Sequence, residues 1–106
     1  MRQGVVLAVV LSGVWATLPT AGMAEDKETS CGHQAAVVSA LQQARKDRVG
    51  ERDAQALVLE APTWPEKYNA TVPLIAGWVY GKDIKMRDVR TKDLGAAWKD
   101  LCLQQG

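Results

Sequence analysis

Two cysteines, Cys31 and Cys102, lie near the two ends of the chain that follows an apolar N-terminal stretch. Two cysteines allow one intramolecular pairing, and this pairing would close a loop of about 70 residues. In the chain-entropy account, a loop of that length stabilises the folded state by about 4 kcal/mol. A structural disulfide is expected, and a redox pair or an intermolecular bridge is the alternative. The sequence has no Cys-x-x-Cys motif, which argues against a thioredoxin-like role.

Residues 1–24 have the composition of a cleavable secretory signal peptide. Residues 4–18 are uncharged and mostly apolar, and Gly22 and Ala24 are the small residues expected for cleavage after Ala24. An uncleaved membrane anchor is the alternative, but the apolar stretch is shorter than the ~20 residues of a spanning helix. We therefore expect an exported protein, periplasmic or secreted, in which a disulfide is permissible.

Residues 25–106 are expected to form a single small domain. Of the 13 lysines and arginines, one lies in the predicted signal peptide, so the remaining cations equal the 12 acidic residues in number. A neutral balance argues against a nucleic-acid partner. A domain of this size buries only about 60% of its unfolded surface, so the disulfide matters for its stability.

Apolar residues recur at helical spacing, which predicts an all-α bundle of four to five short helices closed by the Cys31–Cys102 bond. The first helix is expected over residues 32–48, with Ser30 as its N-cap and Gly50 as its C-cap. The second is expected over residues 51–59.

The C-terminal third is expected to contain a loop and then a helix. Residues 82–90 alternate apolar and charged side chains, and an isolated strand there would be marginal, so a loop is predicted. Residues 92–103, with Thr91 as N-cap, give the clearest amphipathic helix in the chain.

Pro73 makes the segment 64–80 ambiguous. A single helix would be kinked at this proline, because proline removes a backbone hydrogen bond. The alternative is a helical turn over residues 64–69 followed by a new helix, capped by Thr71, with the proline in its first turn. We favour the broken arrangement.

The apolar faces of these helices predict the core. The predicted core residues are Val37, Val38, Leu41, Leu57, Val58, Ile75, Val79, Leu94, Trp98 and Leu101.

Four aromatic residues are candidates for binding a partner. Trp64 and Tyr68 are four residues apart and lie between prolines that would pre-order them, and Trp78 and Tyr80 flank the next apolar face. A rigid aromatic anchor of this kind is typical of protein interfaces. The alternative interpretation is that Trp64 and Tyr68 fold back to cover the core.

His33 is the only histidine, which is a poor basis for a zinc site or a catalytic triad. No Gly-x-Ser-x-Gly elbow and no glycine-rich phosphate loop is present. We therefore predict no catalytic, metal or cofactor site, and the protein is expected not to be an enzyme.

Five cations lie close together near the C-terminal helix: Lys82, Lys85, Arg87, Arg90 and Lys92. A solvated connector is the simplest interpretation. A weak contact with an anionic surface is the alternative, although interleaved acids weaken it.

Size, export and one disulfide make the chain similar to small periplasmic helical proteins such as acid-stress chaperones and toxin-neutralising immunity proteins, although no motif supports either class. We expect non-catalytic binding to another protein, of immunity, inhibitor or stress-protective type. The alternatives are an envelope-associated structural protein that contacts anionic lipid and, ranked lower, a small-ligand carrier or a minimal enzyme.

Overall fold

The computed structural model describes residues 25–105, so the predicted signal peptide lies outside the described residues. Within that range the chain is all-helical, as predicted, and no helix there is long and apolar enough to cross a membrane. The elements in order are α1 (Lys27–Lys46), α2 (Glu51–Val58), a 3₁₀ helix (Glu66–Thr71), α3 (Val72–Val79), α4 (Met86–Thr91) and α5 (Leu94–Gln104).

The first helix, α1, starts earlier than predicted. Asp26, rather than Ser30, is its N-cap, and the Asp26 carboxylate accepts a hydrogen bond from the Thr29 N–H at 2.7 Å. This hydrogen bond lowers the pKa of Asp26. At the other end Arg48 takes the left-handed conformation, with φ 66°, whereas Gly50 is extended and is the N-cap of α2. The predicted caps at Ser30 and Gly50 were therefore wrong.

The last helix, α5, runs antiparallel to α1 and is joined to it by the predicted disulfide. The Cα atoms of Cys31 and Cys102 are 5.7 Å apart. Near the start of α5 the helices approach so closely that a Cβ on Gly95 would lie 2.5 Å from Ser39 Oγ and 3.0 Å from the Ala35 carbonyl oxygen. Small residues therefore set the spacing at one end of this helix pair, and the disulfide fixes the other.

The predicted loop over residues 82–90 was wrong, because part of it forms α4. The Asp88 carboxylate accepts a hydrogen bond from the Lys85 N–H at 3.1 Å and so caps this helix. On its inner face, Val89 is fully buried. Because the helix is short and buries a single side chain, the alternation of apolar and charged residues did not indicate it.

Gln42 on α1 holds the junction between α4 and α5. Its side-chain amide donates hydrogen bonds to the carbonyl oxygens of Val89 and Lys92, at 2.8 and 2.7 Å, and accepts one from the Leu94 N–H at 3.2 Å. Asp93, rather than the predicted Thr91, caps α5. The end of one helix and the start of the next are thus satisfied by a residue about 50 positions upstream.

The chain breaks near Pro73 as the favoured alternative predicted. The 3₁₀ helix ends at Thr71, and α3 begins at Val72 with the proline in its first turn. The Thr71 hydroxyl does not cap α3 and instead donates to the Tyr68 carbonyl oxygen at 2.7 Å.

Most of the predicted core is confirmed. Seven of the predicted residues are buried: Val37, Val38, Leu41, Val58, Ile75, Val79 and Leu94. Trp98 is half-buried and packs against this cluster. Leu57 and Leu101 were wrongly assigned, since they are 46% and 50% exposed. On the short α2, Ala54 and Val58 form the inner face, which turns Leu57 towards solvent.

Substitution of Gly95 by alanine tests the close approach of α1 and α5. We expect Gly95→Ala to lower the free energy of unfolding by about 1–3 kcal/mol, because the added methyl group meets backbone and must push the helices apart. Chemical denaturation measures this change.

Gly77→Ala is the matched control, since Gly77 lies in a helix and a Cβ there meets nothing within 4 Å. Alanine should stabilise that position by about 0.5–1 kcal/mol, because it restricts the unfolded chain. Equal effects of the two substitutions would contradict the close packing described.

Candidate functional site

An open apolar groove of about 540 Å³ is lined by residues of α1, α3 and α5. It is lined by Gln34, Trp78, Trp98, Leu101, Cys102 and Gln105, none of which carries a charge. We call this surface the groove. Its volume lies within the range of about 300–1,000 Å³ that is typical of ligand-binding pockets.

The aromatic wall of the groove is held in place by two contacts. The Trp98 indole N–H donates a hydrogen bond to Gln34 Oε1 at 3.0 Å. The rings of Trp78 and Trp98 meet edge to face, with their centroids 5.2 Å apart and an interplanar angle of 67°. Such aromatic pairs contribute about 0.5–1.5 kcal/mol beyond the burial of their area. These two contacts therefore hold the two indole rings in a fixed orientation.

Two exposed leucines lie in or beside the groove. Leu101 on α5, which lines it, is 50% exposed, and Leu74 on α3, one helical turn before Trp78 and outside the lining, is 71% exposed. Next to Leu101, the disulfide through Cys102 fastens this turn of α5 to α1. The groove is thus the centre of a larger exposed apolar surface, a feature that often marks an interaction site.

Trp64 and Tyr68 do not form the exposed anchor that the partner-binding prediction placed there. Each is only 6% exposed, and both belong to the core cluster. The Trp64 indole N–H donates to Asn69 Oδ1 at 2.9 Å, which fixes the ring over the core. These residues cover the core, as the alternative interpretation held.

Tyr80 is half-buried and connects elements of the fold. Its hydroxyl donates a hydrogen bond to the Val49 carbonyl oxygen at 2.7 Å, and the Arg45 guanidinium lies 5.7 Å from its ring centroid. Burial raises the pKa of Tyr80. Of the four predicted partner-binding residues, Trp78 is the one that lines the groove.

A polar cluster lies at the start of α1, around Glu25. The Tyr68 hydroxyl donates to the Glu25 carboxylate. Lys67 Nζ and His33 Nε2 lie 3.0 and 3.6 Å from the same carboxylate. The hydrogen bond from Tyr68, and then the one from Lys67, lowers the pKa of Glu25, while Glu25 raises the pKa of Lys67. The cluster fastens the segment before α1 to the 3₁₀ helix.

The five predicted cations lie together on the surface, in and around α4. Lys82 and Lys85 lie in the turn before α4, and Arg87 and Arg90 lie on α4, all exposed. The fifth cation, Lys92, forms an ion pair with an acid on α4 at 3.2 Å. In residues 25–105, no three His, Cys, Asp or Glu side chains are arranged so that they could hold a metal ion.

Sequence reasoning missed most of the groove. It assigned Trp98 and Leu101 to the core. A usable signal was present in the last helix, where Leu103 lies outside the apolar face formed by Leu94, Trp98 and Leu101. A helix that carries more apolar residues than one face can bury presents the excess to solvent or to a partner.

Comparisons with protein-family models, with curated proteins and with solved structures find no match to this chain. Its function is therefore inferred from its own geometry.

Tyr68→Phe tests the polar cluster around Glu25. A carboxylate with a lowered pKa in the folded state stabilises the fold above its ordinary pKa, here 4.5, and this stabilisation is lost as the pH falls through the lowered value. Without the phenol donor, the pKa of Glu25 should rise towards 4.5. The stability difference between about pH 6 and about pH 3 should then shrink, as measured by denaturation at both pH values.

Tyr80→Phe is the control, because the Tyr80 hydroxyl donates to a backbone carbonyl oxygen and not to a carboxylate. It should change the free energy of unfolding by the same amount at both pH values. Identical pH dependence in the two variants would show that the Tyr68 hydroxyl does not stabilise the Glu25 carboxylate.

Proposed function

We propose that the chain works without catalysis, by binding an apolar, uncharged segment of another protein in the groove. The observation that carries this proposal is the fixed pair of indole rings in an open groove without charged walls. Tryptophan is enriched among the residues that contribute most to protein–protein affinity.

The chemistry of the walls supports a neutral, apolar partner. A charged side chain placed in the groove would lose hydration and find no opposite charge among the six lining residues. An apolar side chain would exchange water for the faces of Trp78 and Trp98. The amide of Gln105, which is exposed, is suited to backbone groups of the bound segment, whereas the Gln34 amide is already engaged with Trp98.

The preformed geometry also supports binding. Because Gln34 and Trp78 already hold Trp98 in place, little side-chain entropy remains to be lost on association. The sulfur of Cys102 is bonded to Cys31, so it is not available as a nucleophile. The lining groups are thus suited to contact rather than to proton transfer or covalent chemistry.

We place this binding outside the cytoplasm, after cleavage at Ala24, in a protein of immunity, inhibitor or stress-protective type. The Cys31–Cys102 disulfide supports this compartment, since such bonds persist in oxidising environments.

A small apolar ligand is the second candidate occupant of the groove. The volume of about 540 Å³ favours it, and the polar rim of two glutamines matches the usual character of small-molecule sites. The exposed Leu74 favours the protein partner, because it lies outside the lining residues and extends the apolar surface beyond what a small ligand would cover.

Photo-crosslinking in the producing cell tests the proposal. A photoreactive residue replaces Leu101 in the groove or, as the matched control, Leu59, which is 40% exposed and lies just after α2. We expect a discrete protein adduct from position 101 and none from position 59. Adducts of equal yield at the two positions, or no protein adduct at position 101, would contradict the proposal.

A second variant tests the contribution of the groove to affinity. With the photoreactive residue at position 105, Leu101→Asp should lower the adduct yield about 30-fold, as expected for loss of a contact worth ~2 kcal/mol. The exposure of Leu101 makes this substitution compatible with folding. If native mass spectrometry of the purified protein shows a retained small molecule that Leu101→Asp releases, the groove is a ligand site instead.

A further inference from the structure

The charges of the described chain are separated along the molecule. Residues 45–53 and 82–92 contain nine lysines and arginines and five acids, whereas the rest of residues 25–105 contains three lysines and seven acids, of which Asp93 directly follows Lys92. Because residues 25–105 contain equal numbers of cations and acids, the net charge does not show this separation.

The two cationic segments lie at the same end of the bundle. The Tyr80 hydroxyl donates to the Val49 carbonyl oxygen at 2.7 Å, which brings the chain leading into residues 82–92 against the end of α1. At the other side of α4, Gln42 donates to the Lys92 carbonyl oxygen at 2.7 Å. We call the surface formed by residues 45–53 and 82–92 the basic end.

Ion pairing increases the separation of charge between the two ends of the molecule. In the described chain, the cations outside the basic end are engaged: Lys67 pairs with Glu25 at 3.0 Å, Lys99 pairs with Glu28 at 3.3 Å, and Lys27 donates to a backbone carbonyl oxygen. Within the basic end the one ion pair is Lys92–Asp88. Arg45 of the basic end is likewise engaged, since it donates to the Val79 carbonyl oxygen. The other cations of the basic end apart from Lys92 are exposed and have no acidic partner among the ion pairs of the described chain.

Of the two acids interleaved with these cations, Asp83 is exposed and Asp88 is used inside the fold. Asp88 caps α4 through the Lys85 N–H and pairs with Lys92, and these contacts lower its pKa. Arg87 and Arg90, three residues apart and exposed, lie on one side of α4. They present their charge outwards. The acid on the same helix, Asp88, is already engaged with Lys85 and Lys92.

We propose that the basic end docks the protein on an anionic lipid surface. Cys31 and Arg45 are separated by about 20 Å along α1, given the rise per residue of a helix. Because the Debye length is about 8 Å at physiological salt, the acids near the start of α1, Glu25, Asp26 and Glu28, do not oppose this contact. The far wall of the groove, at Cys102, is bonded to Cys31 near that same start of α1 and stays open, so docking is compatible with binding there and does not depend on it.

Vesicle co-sedimentation tests the proposal with the chain produced from its full sequence and recovered from the exported fraction. The vesicles are phosphatidylcholine alone or phosphatidylcholine with about 30 mol % phosphatidylglycerol. We expect binding to the anionic vesicles above the neutral baseline, with loss at about 0.5 M salt as the charges are screened. Each cation near an anionic surface strengthens binding about fivefold, so Arg87→Gln/Arg90→Gln should weaken it about 30-fold.

Lys67→Gln/Lys99→Gln is the matched control, because it lowers the net charge by the same amount at the opposite end and should leave vesicle binding unchanged. Circular dichroism checks the fold of both variants, and Lys82→Gln/Lys85→Gln replaces the first pair if α4 does not tolerate it. Leu101→Asp should retain vesicle binding, which separates this proposal from the groove.

Three results would overturn the proposal. The first is no excess binding to anionic vesicles at low salt. The second is an equal loss of binding in the two charge variants. The third is displacement by inorganic phosphate that exceeds displacement by chloride at equal ionic strength, which would indicate a discrete phosphate site rather than a lipid surface.

Discussion

The structure depends on the pairing of α1 with α5. The disulfide between Cys31 and Cys102 holds one end of this helix pair, and the contact of Gly95 with Ala35 and Ser39 sets the spacing towards the other. Once the pair is formed, its inner face presents apolar side chains against which α2, α3 and α4 pack. A chain of this size has little other surface to bury, so one covalent restraint carries an unusually large share of the stability.

The same pairing builds the groove. Gln34 on α1 holds the indole of Trp98 on α5, and that ring in turn positions Trp78 on α3. Cys102 forms part of the groove wall and is at the same time one half of the covalent link. The turn of α5 around Cys102 thus contributes both to stability and to the shape of the groove. The basic end lies at the opposite end of α1 and depends instead on Gln42.

The sequence predicted those features of the fold that depend on neighbouring residues or on residue counts. The disulfide followed from counting cysteines, the break near Pro73 followed from proline chemistry, and the buried face of α1 followed from its periodicity. Long-range contacts decided the rest. The hydrogen bonds from Gln42 stabilise α4 and have no signature in neighbouring residues. Trp64 is buried in the core cluster, and the groove exists because three separate helices each contribute to it. Spacing along the chain reveals neither.

The most direct test of this account compares guanidinium unfolding of the oxidised protein with that of the protein reduced by an excess of dithiothreitol. If the Cys31–Cys102 link holds the α1–α5 pair together, reduction should lower the free energy of unfolding by about 4 kcal/mol. The near-ultraviolet signal of the Trp78–Trp98 pair should weaken with it, because the turn of α5 that completes the groove is released. An unchanged free energy of unfolding and an unchanged tryptophan signal after reduction would contradict the account.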